Sequence, residues 1–321
     1  MLAALALSPP ETAWARSNLS GWFRQLRGDA KIRLESGVDY SPRLAVKNQE
    51  GGFGWTTYEA DIFLPFLQDG DEEWSLTGGV SLRDIKARVL LPDSQVTFPG
   101  ELWDLDLGLL HRRRLPNRWT LGLNLSLSSP SDEPFSGWDE TSLMVNGFLK
   151  IPDGPRNAWV VFLNYSANRE FLPHVPIPGA GYLFVPSRNF SALAGVPLVF
   201  LNYRPFSRLA LRASYFPIHS VATGAELECL KRFTVFGEFR WVNERYFRSG
   251  REDSEDRLFW YEKKLEFGVR VRPAVGLEVE VAGAYAFDRF FFEGDGYEDR
   301  LDNRIDIADG FSFNTSLRAS F

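Results

Sequence analysis

The sequence predicts an all-β fold, a transmembrane antiparallel up-and-down β-barrel. Runs of alternating apolar and polar residues repeat from about residue 30 to Phe321, which indicates about fourteen strands, with about twelve as the alternative. Short and long links alternate between these runs, as periplasmic turns and extracellular loops do in such barrels. Although 44% of the 321 residues are hydrophobic, no stretch approaches the roughly 20 apolar residues that a membrane helix needs.

Four runs show the alternation most clearly, at 55–66, 74–83, 103–109 and 119–128. Each is about as long as a tilted strand that crosses hydrocarbon, and none has the helical spacing of apolar residues. Further strands are predicted with less contrast near 30–41, 141–151, 158–167, 190–202, 208–216, 221–230, 233–245, 258–272, 277–289 and 311–321.

The links between the runs predict the topology. Those after the even-numbered strands are short and rich in Gly, Pro, Asn and Asp, which supply turn geometry. Most links after odd-numbered strands are longer, at 84–101, 129–140, 168–189, 246–257 and 290–309. With an even strand count, both chain ends are expected in the periplasm.

The two ends of the chain predict export to the bacterial outer membrane. The run from Phe311 to Phe321 is apolar at every second position and ends on Phe, which resembles the C-terminal signal of outer-membrane barrels. Phe321 is therefore the expected assembly signal, and the barrel-assembly machinery the expected partner. Residues 1–15 end in Ala13-Trp14-Ala15 and resemble the end of a signal peptide, although a basic n-region is missing.

The predicted organisation has three parts. Residues 1–15 are a signal-peptide remnant, residues 16–29 form a periplasmic segment or a short plug helix, and residues 30–321 form the barrel. The spacing of Trp22, Phe23 and Leu26 favours a short amphipathic helix in the second part, with a disordered tail as the alternative.

The polar faces of the strands are expected to line the lumen, because hydrocarbon cannot solvate charge. The residues predicted to govern binding or selectivity there are Glu59, Asp61, Asp104, Asp106, Arg212, Glu238, Arg240, Glu262, Lys264, Glu278 and Glu280. Acids outnumber bases, so an open lumen is expected to prefer cations. A salt-bridged plug is the alternative. Lys263 falls on the lipid face, where it would contact lipopolysaccharide unless a β-bulge shifts the register.

Two links have unusual composition. The 168–189 link contains Pro178, Gly179, Gly181 and Tyr182, which predict a rigid loop that constricts or covers the mouth. The 290–309 link is rich in carboxylates, which either bind Ca²⁺ or form a solvated acidic loop. Its spacing is not that of an EF-hand, and the solvated loop is the preferred reading.

No enzymatic motif is present in the sequence. The chain has three His residues, and neither G-x-S-x-G, zinc spacing nor a phosphate loop occurs. No catalytic residue, metal or cofactor is therefore predicted. The net charge of −6 argues against nucleic acid as a partner, and the single Cys229 cannot form an internal disulfide.

Several short motifs resemble an uncharacterised family of bacterial outer-membrane barrel proteins. They are Pro178–Tyr182, Gly195-Val196-Pro197, Trp241–Glu244 and Ala286–Arg289. The resemblance implies fold and location from about residue 30 onward and transfers no catalytic residue. The strand count is also similar to that of the long-chain fatty-acid transporters, whose N-terminal hatch is longer than residues 16–29.

The predicted function is a channel or transporter for small solutes, with outer-membrane lipid and lipopolysaccharide as surroundings. A plugged structural or surface-interaction barrel is the alternative, followed by a transporter of hydrophobic compounds and a lipid-modifying enzyme. The sequence names neither the solute nor the oligomeric state.

Overall fold

The computed structural model describes residue 26 and residues 28–47, 49–91, 95–169, 172–216, 220–301 and 304–321. The predicted signal peptide and most of the 16–29 segment lie outside these residues. In the described part of the chain, no helix is both long enough and apolar enough to span a membrane.

Within the described residues, seventeen strands form one antiparallel sheet that closes on itself. They are β1 (Arg33–Ala45), β2 (Gly52–Gln68), β3 (Glu72–Ala87), β4 (Glu101–Arg114), β5 (Thr120–Ser131), β6 (Ser142–Asp153), β7 (Asn157–Ser166), β8 (Ile177–Ser187), β9 (Phe190–Val196), β10 (Val199–Phe206), β11 (Leu209–Phe216), β12 (Ser220–Leu230), β13 (Phe233–Tyr246), β14 (Arg257–Ala274), β15 (Leu277–Gly294), β16 (Arg304–Ile307) and β17 (Gly310–Ser320). The short β16 and β17 pair with successive parts of β15, so the ring contains sixteen strands. It closes where β1 pairs with β17.

The predicted count of about fourteen, like the alternative of twelve, is therefore wrong. The expected 168–189 loop contains β8, and the expected strand at 190–202 is in fact two strands, β9 and β10. The link between β9 and β10 is only residues 197–198, which is too short to break the apolar pattern of the sequence. The even count is retained, so both ends of the ring lie on the same side of the membrane.

The predicted division into lipid and lumen faces is confirmed along the clearest strands. On β2, Tyr58 and Ile62 point outward and are exposed, while Trp55 and Thr57 are buried inside. On β17, Phe313 points outward and Ser312 inward. This alternation gives the closed barrel an apolar outer surface, as a bilayer requires.

Aromatic side chains also mark the periplasmic end of the outer surface. Trp74 on β3 stacks on His111 on β4 with ring centroids 4.0 Å apart. Trp159 on β7 meets Tyr182 on β8 edge to face at 4.9 Å. Such rings are typical of the girdles at the interfaces of outer-membrane barrels.

The barrel wall differs greatly in height around the ring. Strands β14 and β15 each have 18 residues, whereas β9 has 7 and β10 and β11 have 8 each. At a rise of about 3.3 Å per residue and a tilt of about 40°, these lengths correspond to walls of about 45 Å and about 18–20 Å. The periplasmic turns are short all round, so the difference lies at the extracellular rim.

The chain enters the barrel against the turn between β2 and β3. The Ala30 amide donates to Gln68 Oε1 at 2.7 Å, and Arg114 Nη2 donates to the Leu26 carbonyl at 3.0 Å. In the same turn Asp69 Oδ1 accepts from the amides of Asp71 and Glu72, and these bonds lower the pKa of the Asp69 carboxyl. Leu26 is buried by these contacts.

Lys263 lies on the lipid face and is paired there. A β-bulge occurs beside it, where β15 carries one extra residue and Asp288 adopts a positive φ. The bulge lies in β15, so it leaves Lys263 facing outward and brings Asp288 Oδ2 to 2.6 Å from its Nζ. Lys263, which departs from the apolar pattern of the lipid face, is thus held in an ion pair between neighbouring strands.

Candidate functional site: the barrel lumen

The extracellular mouth is divided by a partition, which consists of the segment 247–256 and the link 132–141 that it contacts. The segment 247–256, which connects β13 to β14, crosses here to the link between β5 and β6. Strands β5 and β13 are eight positions apart in either direction around the sixteen-strand ring. Yet Phe247 pairs with Ser131, its amide donating to the Pro130 carbonyl at 2.7 Å.

Side chains strengthen this crossing. Asp132 accepts from the Ser249 amide at 2.7 Å and from its hydroxyl at 3.1 Å. Arg251 Nη1 lies 2.9 Å from Glu140 Oε1, and both side chains are almost fully buried. The segment 247–256, named the strap below, is thereby fixed across the mouth rather than extended into solvent.

On one side of the partition, the extracellular half of the lumen is filled by apolar side chains. They come from strands that are not neighbours in the ring, with Trp55 of β2 meeting Trp260 of β14 at 4.7 Å and Phe53 meeting Phe291 of β15 at 5.1 Å. The other buried members of this core are Val46, Ile85, Val89, Leu91, Phe98, Leu102, Tyr246, Leu258, Ile305 and Ile307. Water and polar solutes are excluded from this half of the mouth.

Below that core the lumen carries a layer of ion pairs. Arg240 Nη2 lies 2.6 Å from Glu266 Oε2, and Arg270 Nη2 lies 2.6 Å from Glu280 Oε2. Arg270 also contacts Glu226 at 2.8 Å and Glu278 at 3.1 Å. These groups are largely buried, so each depends on its partners rather than on bulk water.

Several pairs join strands that are not neighbours. Lys264 Nζ of β14 lies 3.0 Å from Asp39 Oδ2 of β1, and Arg83 Nη2 of β3 lies 2.8 Å from Glu244 Oε2 of β13. These contacts tie the tall walls together across the lumen. These ion pairs therefore connect strands that are not neighbours, and they also line the lumen.

A cavity of about 90 Å³ remains within the layer. Seven carboxylates line it, namely Glu35, Asp39, Glu59, Asp61, Glu244, Glu262 and Glu280. Four cationic side chains line it as well, namely Arg83, Arg240, Lys264 and Arg318. Behind this lining, Arg270 pairs with Glu280 at 2.6 Å and Arg289 with Glu262 at 3.0 Å.

On the other side of the partition, lumen-facing polar side chains are partly exposed. They include Ser126 on β5, Asn164 on β7, Asn202 on β10 and Ser214 on β11. In the opposite half, Ser81 on β3 is buried, whereas Glu59 and Asp61 on β2 are partly exposed at the cavity. The half of the lumen lined by β5–β12, named the open half below, contributes no member to the apolar core of the extracellular mouth among the described residues.

An apolar cluster covers part of the wall of the open half. Its buried members are Leu110, Phe148, Ala158, Val160, Leu183, Leu193 and Leu198, and Phe63, Phe162, Val185, Phe200 and Phe216 pack against them. Its members extend from Leu110 on β4 through β6–β8 to Leu193 on β9 and Leu198, and Phe63 on β2 packs against them. The inner wall of the open half is thus polar in some places and apolar in others.

The residues predicted as a loop constriction lie in β8. Pro178 and Tyr182 face outward, and the Tyr182 hydroxyl donates to Asp153 Oδ2 at 2.8 Å in a periplasmic turn. Gly179 faces the lumen, where the ring of Phe162 occupies the space that a larger side chain would need. Gly181 lies against the backbone of Gly195 on β9. The glycines therefore reflect close packing within a sheet, and the loop prediction is wrong.

The other predicted lumen residues lie on inward faces of the strands. Glu238, Arg240, Glu262, Lys264, Glu278 and Glu280 belong to the ion-pair layer, and Arg212 contacts Glu226 at 2.6 Å. Glu59 and Asp61 line the cavity, and Asp104 and Asp106 lie on β4.

Sequence reasoning missed the aromatic pair Trp55 and Trp260 and the buried Arg289. Arg289 Nε lies 3.0 Å from Glu262 Oε2, and its guanidinium lies 4.6 Å from the Trp55 ring centroid. Glu244 and Arg83 were not selected either. Their inward positions follow from strand alternation, but a contact between opposite walls leaves no periodic signal in a sequence.

In the acidic link near residues 290–309, a carboxylate accepts hydrogen bonds from the backbone of the same link. Asp299 Oδ2 accepts from the amides of Asp295 and Gly296 at 3.1 and 3.2 Å, and a hydrogen bond between the two carboxyls raises the pKa of Asp295. Among the described residues, no three His, Cys, Asp or Glu side chains are grouped to hold a metal ion. Asp302 lies outside the described residues.

No family model matches the chain, and no curated protein sequence matches it. Several solved outer-membrane proteins are similar in structure. An outer-membrane channel from Pseudomonas putida F1 is 7% identical over 93% of this chain and 97% of its own, with a TM-score of 0.41. The P. putida toluene transporter TodX is 9% identical over 90% and 89%, with a TM-score of 0.37. OprB of the same species is 7% identical over 91% and 94%, with a TM-score of 0.35.

These values describe a common barrel architecture and carry no argument about solute. The fold agrees with the resemblance to outer-membrane barrels, but no specific family is identified. The closed ring of sixteen antiparallel strands with its apolar outer surface places the protein in the bacterial outer membrane.

Proposed function

We propose that this barrel is a narrow channel for small polar solutes, with its path through the open half of the lumen. The observation that carries the proposal is that, among the described residues, the apolar core of the extracellular mouth takes no member from the strands β5–β12. Inward-facing Ser126, Asn164 and Ser214 in this half are partly exposed. A wetted polar wall is what a diffusing hydrophilic solute requires.

The charge of the lumen supports a preference for small cations. Most carboxylates of the ion-pair layer are balanced by Arg or Lys, and carboxylates outnumber cationic side chains in the lining of the cavity. The cavity lies in the other half of the lumen, beside the path, so its charge acts on the path through the electric field across the lumen. The path is therefore expected to conduct weakly and to favour K⁺ over Cl⁻.

A plugged structural barrel is the second candidate, and a specific observation favours it. The apolar core and the strap fill one half of the mouth with side chains that are almost wholly buried. If the open half also excludes ions when the barrel is in the membrane, the ion pairs serve only to stabilise the barrel wall. The two candidates differ in whether purified protein conducts ions.

Single-channel recording in planar bilayers tests the proposal. Wild-type protein is expected to show discrete openings, and Ser126→Trp is expected to reduce them by roughly half or more because the indole enters the path. Leu127→Trp is the matched control, since Leu127 is the next residue on β5 and faces lipid. Silence of the wild type, or equal effects of the two substitutions, would favour the plugged barrel.

A further inference from the structure

The lipid face of β11–β14 contains an open groove of about 820 Å³ near the periplasmic turns. Its floor is formed by Ala225 on β12 and Gly237 on β13, which are the smallest of the outward-facing residues on these two strands. Larger apolar side chains border the floor, among them Leu227, Leu265 and Phe267. Because the groove faces the bilayer, lipid chains rather than water are available to fill it.

Three exposed cations lie at the periplasmic end of the groove. Arg208 directly precedes β11, and Lys231 and Arg232 form the turn between β12 and β13. The Arg208 carbonyl accepts from the Glu228 amide at 2.8 Å, which places the two turns side by side. Arg232 Nη1 donates to the Pro273 carbonyl at 3.1 Å, a contact that leaves its charge uncompensated.

The carboxylates of these turns are engaged elsewhere. Glu278 lies 3.1 Å from Arg270 and 2.9 Å from Arg272. Glu228 shares the lumen face of β12 with Glu226, whose partners are inside the barrel. In the described part of the chain, no ion pair includes any of the three cations at the groove. Their charges are therefore available to a ligand at the outer surface.

Each of the two turns also carries an exposed apolar side chain. Phe206, two residues before Arg208, is 69% exposed, and Leu230, directly before Lys231, is 70% exposed. At a membrane interface, such an apolar group enters the edge of the hydrocarbon while the neighbouring cation meets the phosphates. The composition of both turns thus fits the headgroup level of the periplasmic leaflet.

We propose that this surface binds one anionic phospholipid of the periplasmic leaflet. An acyl chain lies in the groove over Ala225 and Gly237, and the phosphodiester contacts Arg208, Lys231 and Arg232. A headgroup with net negative charge, such as phosphatidylglycerol, is preferred to phosphatidylethanolamine, whose own ammonium group competes for its phosphate. The site is independent of the proposed channel, because its groups lie on the outside of the barrel.

Charge complementarity selects the lipid over a second copy of the chain. A two-fold symmetric contact through the groove would bring the same patch of both copies together. The three cations of one copy would then face those of the other. An anionic headgroup instead neutralises them, and its chain covers the apolar floor.

The native cysteine provides a reporter for the test. Cys229, the only cysteine of the chain, is exposed on the outer face of β12 between the groove and Lys231. The full-length barrel is labelled there with a small fluorophore and reconstituted in phosphatidylcholine vesicles. A minor fraction of phosphatidylglycerol or phosphatidylethanolamine carries a nitroxide on one acyl chain. At equal mole fraction, phosphatidylglycerol is expected to quench about fivefold more strongly. Equal quenching by the two lipids would overturn the proposal.

Two double variants separate this site from a general attraction of basic turns. Lys231→Gln with Arg232→Gln is expected to bring the quenching ratio of the two lipids close to one. Arg118→Gln with Arg156→Gln removes two exposed cations from the turns after β4 and β6, and is expected to leave the ratio unchanged. Equal losses in both double variants would show attraction by the whole periplasmic end and would refute a defined site.

A further pair of variants tests the groove itself. Ala225→Phe fills the floor and is expected to reduce quenching by phosphatidylglycerol about threefold. Thr223→Phe is the matched control, since Thr223 is the next outward residue of β12 and does not line the groove. Equal quenching in the two variants would exclude a chain in the groove. Energy transfer between donor- and acceptor-labelled barrels would show that a second copy covers it, and the proposal would fail. If a variant does not fold, the comparison of the two lipids with the wild type still decides.

Discussion

At the scale of single residues, the interior of this barrel depends on buried charges that compensate each other. Glu266 is an example, because its side chain has no exposed surface and its Oε2 accepts from both Arg240 and Asn314. A buried ion pair adds little over a well-packed apolar pair, yet removal of one member is costly. Such residues therefore maintain the shape of the lumen.

Glu266→Ala is expected to destabilise the barrel by about 3 kcal/mol, because Arg240 loses its shortest ion pair in a buried setting. Urea unfolding in lipid vesicles measures the change in free energy. Asp288→Ala is the matched control, since it breaks a pair of the same 2.6 Å length that is partly exposed. The control is expected to lose less than about 1 kcal/mol. Equal losses of unfolding free energy in the two variants would mean that burial does not determine how much an ion pair contributes to stability.

Glu59 and Asp61 line the cavity beside the path, and their charge is expected to act on the ion preference of the path through the electric field across the lumen. Combined Glu59→Gln and Asp61→Asn substitutions are expected to weaken selectivity for K⁺ over Cl⁻ in reversal potentials under a KCl gradient. The difference is expected to shrink at high salt, where the Debye length falls to about 3 Å. Glu101→Gln, at the exposed end of β4, is the control. An anion-selective wild type would refute the prediction.

At the scale of elements, the strap is the feature with most consequence for the mouth. It joins β13 to the link after β5 on the opposite wall, through backbone bonds and the buried pair of Arg251 and Glu140. A link of ten residues is long enough to reach, and its charges keep it in water. Its position decides how much of the mouth stays closed.

Arg251→Ala is expected to release the strap and raise the mean conductance, because Glu140 then loses its cation and the Asp139 carbonyl loses a donor. Planar-bilayer recording measures the effect against Glu252→Ala, which changes an exposed neighbour in the same segment. A conductance that responds equally to both substitutions, or to neither, would show that the strap does not limit the path.

The elements also show what the sequence could and could not predict. Strands with strong alternation, such as β2 and β5, were predicted with the correct faces because one side meets lipid and the other does not. Strands β8 to β10 were misread, since Gly179 and Gly181 suggested a loop and the apolar link at 197–198 suggested a single strand. The partition and the ion pairs across the lumen were not predictable, because they join residues far apart in sequence without any repeat.

At the scale of the whole molecule, the chain is one barrel with walls of unequal height. The tall side holds the apolar core of the extracellular mouth and most of the ion pairs, and the low side holds a second apolar cluster with partly exposed polar side chains beside it. The proposed path runs along those polar side chains. Assembly of such a barrel depends on its last strand, which closes the ring against β1.

Deletion of Phe321 is expected to lower the amount of barrel in the outer membrane without preventing refolding in detergent. Its amide donates to the Ile32 carbonyl at 3.0 Å, but its side chain is mostly exposed, so the loss in stability is expected to stay below about 2 kcal/mol. Quantitative immunoblots of membrane fractions and refolding yields measure the two effects. Normal cellular levels of the deletion variant would contradict a role in recognition by the assembly machinery.

The central claim is that one half of the lumen is accessible and the other is closed. Ser214→Cys and Ser81→Cys, each in a Cys229→Ser background, make the same substitution on inward faces of the two halves. A thiol reagent that cannot cross membranes is applied to intact cells, and the labelled fraction is measured. Cysteine at 214 is expected to react within minutes while cysteine at 81 stays unlabelled. Equal labelling at both positions, or a protected cysteine at 214, would contradict the account.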